Sequence, residues 1–256
     1  MEPINWYGAF TLTQREVKRF LKVYNQTVIS PMVSALLFFA IFLLATRGHN
    51  AQIANMQFMN FIAYGLIIMS IMQQSFANSS SSFIMYKVLG YLNDILMPPL
   101  GYIEIIFAFI MGSIIRGVLV GITVGLAFVP FIEYQIFHPL LLASYVLLAC
   151  ALLAQLGLFA ALISNTFDQL SAVTNYLINP LSFLSGTFYT AQSLPLFFQK
   201  VNLFNPFFYI IDGFRYCLSD HSDGDIILGT LILALSNIGM FFLLCKLIKS
   251  GWRIKS

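Results

Sequence analysis

Apolar segments follow one another along the whole chain, separated by shorter polar stretches. A helix needs about 20 mostly apolar residues to cross a hydrocarbon core of about 30 Å. Six segments reach that length, so the pattern predicts six transmembrane helices, called spans one to six below. They cover residues 28–46, 57–77, 106–130, 140–163, 170–189 and 226–248. The predicted fold class is therefore an all-α polytopic membrane protein.

The composition excludes a soluble globular protein. Of the 256 residues, 59% are hydrophobic and only 9% are charged. Soluble domains carry about 25% charged residues, which their water-facing surface requires. The first residues show no charged leader ahead of an apolar core, so we expect no cleavable signal peptide.

Positive charge predicts the orientation, because cytoplasmic loops carry an excess of Lys and Arg. With the N-terminus inside, nine basic residues lie on the inner side and three on the outer side. The inner set is Arg15, Lys18, Arg19, Lys22, Lys87, Lys246, Lys249, Arg253 and Lys255, and the outer set is Arg47, Lys200 and Arg215. Both termini are thus predicted in the cytoplasm, where residues 249–256 form a basic tail.

One basic residue, Arg116, falls inside a predicted span. The segment 101–130 would be about 45 Å long as a helix, which exceeds the hydrocarbon core. Its first third is therefore expected in the inner interface, where Arg116 would reach the headgroups as an anchor. At the membrane centre the charge would cost about 2.5–3.5 kcal/mol. The alternative is a functional charge in a translocation path.

Residues 1–27 have apolar and basic positions on opposite faces of a helix. This pattern predicts an amphipathic helix in the membrane surface, ending before Ser30-Pro31, where the chain can bend into span one. Such a helix could instead bind a protein partner. The apolar face holds Trp6, Phe10, Val17, Phe20, Leu21 and Tyr24, and the opposite face holds Arg15, Lys18, Arg19 and Lys22.

Neutral polar residues form stripes on spans two and five, whereas span four is almost wholly apolar and is expected to face lipid. Polar groups that face lipid are unsatisfied, so the stripes predict either contacts between helices or a lined translocation path. The candidate path residues are Asn60, Tyr64, Gln74 and Asn78 in span two, and Asn175, Asn179, Ser182 and Tyr189 in span five.

Three glycines, Gly117, Gly121 and Gly125, recur every fourth residue in span three. Small residues at this spacing let helix backbones approach closely. The repeat predicts a helix-packing face, either within one protomer or between two protomers.

The segment between spans two and three begins at Asn78 and is predicted to be cytoplasmic. Its residues 85–96 mix apolar and charged side chains, which predicts a short helix held against the membrane. Pro98 and Pro99 would end it. The alternative is an ordinary loop.

Several kinds of chemistry lack their signatures in this sequence. It contains no P-loop pattern, and its three histidines lack the spacing of metal ligands, so we expect neither a nucleotide nor a metal on this chain. The acidic loop 220–225 lacks the glutamate that a calcium loop requires at its end. We expect Asp223 and Asp225 to cap the helix of span six instead. No nucleic-acid partner is expected.

Residues 179–216 combine helix breaks with aromatic residues. The breaks are Pro180, Ser185-Gly186-Thr187-Phe188, Leu194-Pro195 and Asn205-Pro206, and the segment closes with Arg215-Tyr216. Together with the six spans, the basic start and the short inner helix, this segment resembles the type-2 ABC exporter permeases over nearly the entire chain.

The resemblance implies one transmembrane domain over residues 1–256, with spans one to five in 28–189 and a re-entrant helical hairpin in 190–217. The Leu and Phe residues of 194–208 would form the buried faces of its two short helices. It also implies a homodimer in the bacterial inner membrane, with two copies of a separate ATPase that binds ATP and Mg²⁺. Contact with the ATPase is expected at Lys87, Tyr91, Asp94 and Ile95, of which Lys87 and Asp94 are expected to be free for a partner.

The predicted function is the permease subunit of an ATP-driven exporter, without a catalytic site of its own, for an amphipathic, lipid-linked or drug-like substrate. One alternative is a membrane enzyme that uses the acids of residues 220–225 on a lipid or lipid-linked glycan. The other is a structural or receptor membrane protein.

Overall fold

The computed structural model describes residues 5–45, 52–53, 56–91, 100–190 and 195–252. In these residues the chain forms ten α-helices, two π-helical segments and two strands of two residues each. The α-helices are α1 Trp6–Lys22, α2 Ser30–Ala45, α3 Phe58–Val88, α4 Tyr102–Phe128, α5 Pro139–Ile163, α6 Phe167–Val173, α7 Asn179–Leu184, α8 Leu196–Asn202, α9 Pro206–Ser219 and α10 Ile226–Lys249. The π segments are π1 Asn25–Ile29 and π2 Thr174–Ile178, and the strands are β1 Gln52–Ile53 and β2 Met56–Gln57.

The all-α fold class is confirmed, apart from the small antiparallel pairing of β1 with β2, which the sequence pattern did not predict. Four helical segments are long and apolar enough to cross a membrane, and they match spans one, three, four and six. They are Asn25–Leu44, Tyr102–Phe128, Pro139–Ile163 and Ile226–Lys249. The helices at spans two and five carry more polar residues, so the total of six spans stays a prediction.

Helix α3 lies at the centre of the bundle. Its 31 residues extend over about 46 Å, and α4 and α5 pack along it, with α2 and α9 in further contact. Every residue from Phe61 to Met72 is buried. A helical stretch that is almost wholly apolar belongs in the interior, and residues 61–72 of α3 occupy that position here.

The loop predicted to begin at Asn78 is wrong, because α3 continues through the serine run to Val88. The serines pack instead of facing water: Ser79 Oγ donates to the Ala154 carbonyl of α5 at 2.7 Å. Opposite Ser79 lies Gly157, where a Cβ would come within 2.3 Å of Ser79 Oγ. Small residues on both helices permit this close approach.

The separate inner helix predicted for residues 85–96 is wrong over its first four residues, which form the last turn of α3. A turn follows, with Gly90 at a φ of +77°, a conformation that favours glycine. Residues 92–99, including Asp94, Ile95 and the two prolines, lie outside the described residues.

Helix α1 keeps the apolar and basic faces that the sequence predicts, but it packs on the protein through a third face that lies between them. Its inward face consists of Ala9, Leu12, Glu16 and Phe20, which pack toward α4. Other apolar residues on α1, such as Trp6 and Phe10, are exposed. The predicted membrane contact is therefore divided: one apolar stripe binds the protein, and another remains available to lipid.

The predicted helix break at Ser30-Pro31 is also wrong, because π1 continues directly into α2 across these residues. The chain turns earlier, at Val23, where Thr27 Oγ1 donates to the carbonyls of Phe20 and Val23. Segment π2 likewise leads into Asn179-Pro180. A proline removes one intrahelical hydrogen bond, and a wider π turn is one way for a helix to accommodate that loss.

Two short helices, α8 and α9, occupy the region predicted as a re-entrant hairpin. Their apolar residues are not uniformly buried, contrary to the prediction. Phe197 and Phe204 are 71% and 89% exposed, whereas Phe207 and Phe208 are buried. Helix α9 therefore belongs to the core, whereas Phe197 of α8 lies at the surface of the bundle, and insertion into the membrane stays a prediction.

Candidate functional site

A polar groove lies between α3 and the helical segment formed by α6, π2 and α7. We call it the amide groove, because its centre is a row of three amides. Gln73 Nε2 donates to Asn179 Oδ1 at 3.4 Å, and Asn179 Nδ2 donates to Asn175 Oδ1 at 3.2 Å. The groove has a volume of about 180 Å³ and is further lined by Ser80, Ser81, Ser171 and Thr174. Every described lining residue is uncharged, so the groove can offer hydrogen bonds without a fixed charge.

Two of the predicted path residues of span five, Asn175 and Asn179, belong to this row, but Ser182 and Tyr189 do not. Ser182 is buried and donates to the Ile178 carbonyl at 2.7 Å. Tyr189 donates to the Leu184 carbonyl. These two side chains satisfy the backbone of their own segment, and a role in a path stays a prediction for them.

The predicted path residues of span two lie away from the amide groove and bond to other parts of the bundle. Asn60 and Tyr64 both donate to the Glu133 carbonyl, at 3.5 and 3.2 Å. Gln74 accepts from Arg116, and Asn78 donates to Ser113. Within one chain, these four residues therefore make contacts inside the bundle, which was the alternative interpretation of this stripe. Their place in a path stays a prediction.

The residues of α3 that do line the groove were missed. Gln73, Ser80 and Ser81 are spaced seven and eight residues apart, which places them on one face of a helix. That offset was the available signal. It was obscured because Gln74 and Asn78 form an equally regular stripe next to it.

Arg116 is not an interfacial anchor. Its side chain is 7% exposed, and one guanidinium nitrogen donates to Gln74 Oε1. Its Nε has no hydrogen-bond partner within the described part of the chain. A charge buried in this way requires a fixed acceptor, so Gln74 has a structural role that its neighbour Gln73 does not share.

An ionic cluster joins α1 to α3 at the end of the bundle predicted to be cytoplasmic. Glu16 is fully buried, accepts a hydrogen bond from the Tyr86 hydroxyl at 3.1 Å and pairs with Arg19 at 3.3 Å. Arg19 also donates to the side chain and the carbonyl of Asn78. Burial and the Glu16 carboxylate raise the pKa of Tyr86 to about 12, so its hydroxyl remains a donor. Arg19 is thus bonded within the protein, whereas the sequence had suggested that it lies on a free basic face.

A basic pocket opens beside this cluster, between α1 and the end of α3. It has a volume of about 680 Å³. Its charged lining is Arg15, Lys18, Arg19 and Lys22, and its other walls include Met85, Tyr86, Leu89 and Tyr91. Arg15 lies over the Tyr86 ring at 5.1 Å. Four positive charges around one concavity favour an acidic partner.

The structure separates the predicted ATPase-contact residues. Tyr91 lines the basic pocket, but the ammonium of Lys87 donates to the carbonyls of Leu162 and Ser164 at 2.8 and 2.7 Å. These carbonyls are at the C-terminal end of α5, where a cation is favoured. The expectation that Lys87 is free for a partner is therefore wrong.

The three glycines of α4 have different surroundings. A Cβ at Gly117 would come within 2.1 Å of Ser75 Oγ, and one at Gly121 within 2.6 Å of Ile71. Both glycines thus allow α4 to pack against α3 within one protomer. A Cβ at Gly125 would meet only the Tyr134 hydroxyl, at 3.7 Å.

Helix α9 is anchored by two charged residues one turn apart. Arg215, counted above as an outer-side charge, is buried, lies 3.6 Å from the centre of the Phe61 ring and donates to the Gly186 carbonyl at 3.0 Å. Asp212 accepts from the backbone of Asp223 and Gly224 at 2.8 and 3.0 Å. The anchor fixes α9 to α3, to the turn after α7 and to the loop before α10.

The acidic loop has structural contacts. Asp225 caps α10 by accepting from Ile227 and Leu228, as predicted, and Asp220 pairs with His138 at 2.9 Å. Asp223 does not cap the helix; its backbone binds Asp212 instead. Within the described residues, no three His, Cys, Asp or Glu side chains lie close enough together to hold a metal ion.

These features define a multi-pass helical membrane protein with an uncharged polar groove along one side and a basic pocket at one end. The chain belongs to the ABC-2 type transporter family, whose profile matches residues 7–218. It is 28% identical over 256 residues to the inner membrane transport permease YadH of Escherichia coli strain K12, and the alignment covers all of both chains. The proteins of the same name from Escherichia coli O157:H7 and Shigella flexneri match equally well. The resemblance to type-2 ABC permeases is thus confirmed, and the chain is the membrane subunit of an ABC transporter.

Proposed function

We propose that two copies of this chain form the path of an exporter in the bacterial inner membrane, with each path wall built around the amide groove. The observation that carries this proposal is the row Gln73–Asn179–Asn175, which ends at an exposed side chain. An exposed amide within the hydrocarbon would be unsatisfied, and such groups are costly. The row therefore needs protein or a water-filled passage in front of it.

A second copy of the chain is the proposed cover. Beside Asn175, the side chains of Tyr176 and Leu177 are 79% and 55% exposed. A two-fold axis would bring the same surface of both copies together, and such an interface is the commonest in homo-oligomers. The amides would then face each other across a passage, and Tyr176 and Leu177 would form its apolar edges.

The partner of an ABC-2 permease is an ABC ATPase, and we place its docking site at the basic pocket. Docking there puts this pocket, and with it both termini, on the cytoplasmic side. ATP and Mg²⁺ would bind the partner, since this sequence contains no P-loop. Two ATPase copies would serve the two permease copies.

Helix α3 is the proposed link between docking and transport. Tyr86 lines the basic pocket and Gln73 lines the amide groove, 13 residues or about 20 Å apart on one continuous helix. A displacement of the inner end of α3 would be transmitted along the helix to the groove. The cluster of Glu16, Arg19 and Tyr86 would make α1 move with it.

The uncharged lining favours a substrate that offers hydrogen bonds and apolar surface, such as an amphipathic, lipid-linked or drug-like molecule. An enzyme acting through the acids of the loop before α10 is disfavoured, because Asp225 caps a helix and Asp220 pairs with His138.

Co-expression with a candidate ABC ATPase tests the proposal. We expect the ATPase to co-purify with the permease and to support ATP-dependent efflux from vesicles.

Cysteine cross-linking tests the proposed dimer. Cys150, Cys217 and Cys245 are first replaced by serine. Single cysteines are then introduced as Asn175→Cys and, as a control, as Ile238→Cys on the exposed side of α10. Asn175→Cys should cross-link two chains, and Ile238→Cys should not. Equal cross-linking at both positions, or an ATPase that never co-purifies, would refute the corresponding part of the proposal.

A further inference from the structure

A second cavity lies on the opposite side of α3 from the amide groove. Its volume is about 460 Å³, and its walls come from α3, α4, α5, α9 and the loop before α5. Ile71 forms part of its floor, and Gly125 and Ala143 belong to facing walls. The one hydroxyl in its described lining, that of Tyr134, already donates to the Gly125 carbonyl at 2.6 Å. The cavity therefore offers apolar contact and no free donor.

The third glycine of the repeat explains why this space exists. Residues of α3 occupy the space beside Gly117 and Gly121. Beside Gly125, within the described residues, one atom comes near a Cβ position, the Tyr134 hydroxyl at 3.7 Å. A larger side chain at position 125 would project into the cavity. The glycine thus keeps a space open instead of closing a contact.

The opening of the cavity lies between α4 and α5, both of which are long and apolar enough to cross a membrane. Ile122 and Leu147 form its edges and are 58% and 49% exposed. In a membrane, these edges face hydrocarbon. An empty apolar cavity forfeits the dispersion contacts of all the atoms that line it, so hydrocarbon from the bilayer gains by entering.

A polar pair lies beyond one end of the cavity. Ile136 and Leu218 line that end, and near them in the chain His138 Nε2 pairs with Asp220 Oδ1 at 2.9 Å and stacks on the Tyr216 ring with centroids 5.0 Å apart. An apolar space with an exposed polar pair beyond it has the same order of groups as a lipid, in which an acyl chain leads to a polar head.

We propose that this cavity binds one acyl chain of a membrane phospholipid, with the polar part of the lipid beside His138 and Asp220. The acyl chain fills the cavity between α4 and α5. The lipid stays bound to the protein and is not the transported substrate. This inference and the proposed function both require α4 and α5 to be inserted in the membrane. The inference does not require the ATPase or transport.

A photoactivatable phospholipid with a diazirine in its acyl chain tests this in membranes that contain the full chain. Labelling should concentrate on residues 118–125 and 142–147. Gly125→Phe places a ring in the cavity and should lower that labelling several-fold, because the ring occupies volume that the acyl chain would otherwise enter. Leu126→Phe is the matched control, because Leu126 is 66% exposed on the lipid side of the same helix and its replacement leaves the cavity open.

Even labelling of all exposed helix faces, or unchanged labelling in Gly125→Phe, would overturn the proposal. If Gly125→Phe fails to accumulate, Ala143→Leu obstructs the cavity from the other wall and should give the same loss. Cysteine cross-links between two chains at Ile122 or Leu147 would show that a second copy covers the opening, and would also overturn it. Loss of ATPase co-purification refutes the proposed function and leaves this result unaffected.

Discussion

The two sides of α3 carry the same kinds of polar residue in opposite circumstances. Toward α4 and α5, Gln74, Asn78 and Ser79 each bond to another helix in the interior. Toward α6 and α7, Gln73 begins a row of amides that bond to one another and end at an exposed residue. Hydrogen bonds to a second helix make one side a packing surface. The other side is left with groups that only a passage or a partner can satisfy.

The comparison predicts that substitutions toward α5 affect folding most. Gly157→Val would bring a side chain into the Ser79 hydroxyl and the Phe76 carbonyl, 2.3 and 2.5 Å from the Cβ position. Backbone cannot move aside cheaply, so we expect a loss of about 1–3 kcal/mol or more. The amount of monodisperse permease extracted from membranes measures it. Gly239→Val on α10, where a Cβ meets nothing within 4 Å, should have little effect, and equal losses would contradict close packing at Gly157.

Gln74→Leu should be the next most damaging change. It removes the acceptor of the buried Arg116 guanidinium, which we expect to cost about 1.5–3 kcal/mol. The thermal unfolding midpoint in detergent should fall. The double variant Gln74→Leu with Arg116→Leu should recover part of the loss, because it removes the unpaired charge. No recovery would mean that the hydrogen bond is not the cause.

Lys87→Met should cost less, about 1 kcal/mol, because the ammonium is partly exposed and stabilises the carbonyls at the end of α5. Per folded permease, recovery of the ATPase should be unchanged. Lys18→Glu in the basic pocket should show the reverse: normal unfolding and reduced recovery of the ATPase. If Lys87→Met lowers ATPase recovery without lowering the unfolding midpoint, Lys87 contacts the partner after all.

Gln73→Leu should change stability least, by about 0.6 kcal/mol or less, which is typical of one hydrogen bond in a membrane protein. Transport per folded molecule should nevertheless fall several-fold, because the amide row is interrupted. Asn237→Leu is the matched control: this buried amide of α10 bonds to Gln155 and to the Leu148 carbonyl, away from the groove. Transport that survives Gln73→Leu would remove the row from the path.

The sequence predicted the fold class, the ends of α10 to within a residue and the cap at Asp225, since all three depend on local composition. It failed where polar residues were taken as exposed. The serines after Asn78 look like a loop, but Ser79 bonds across to α5, Ser81 bonds along its own helix, and the small size of these residues permits close packing. Tertiary contacts, which periodicity does not report, decide such cases.

The stripe on span five is divided in the structure for a different reason. Segment π2 has a wider turn than an α-helix, so positions counted at 3.6 residues per turn rotate out of register beyond it. Asn175 and Asn179 therefore reach the amide groove, whereas Ser182 is buried. Pro180 was the available indication that regular spacing would not continue.

The contacts of α1 also set an order of events during synthesis. Glu16 bonds to Tyr86, 70 residues later, and the backbone of Asn5 donates to Glu104, 99 residues later. At about 5–20 residues per second, the ribosome needs roughly 5–20 s to supply these partners. Throughout that interval Glu16 lacks Tyr86 and Arg19 lacks Asn78, and the exposed aromatic residues of α1 can lie in the membrane surface. The first helix to be made thus cannot complete its packing until α3 and the start of α4 have followed it.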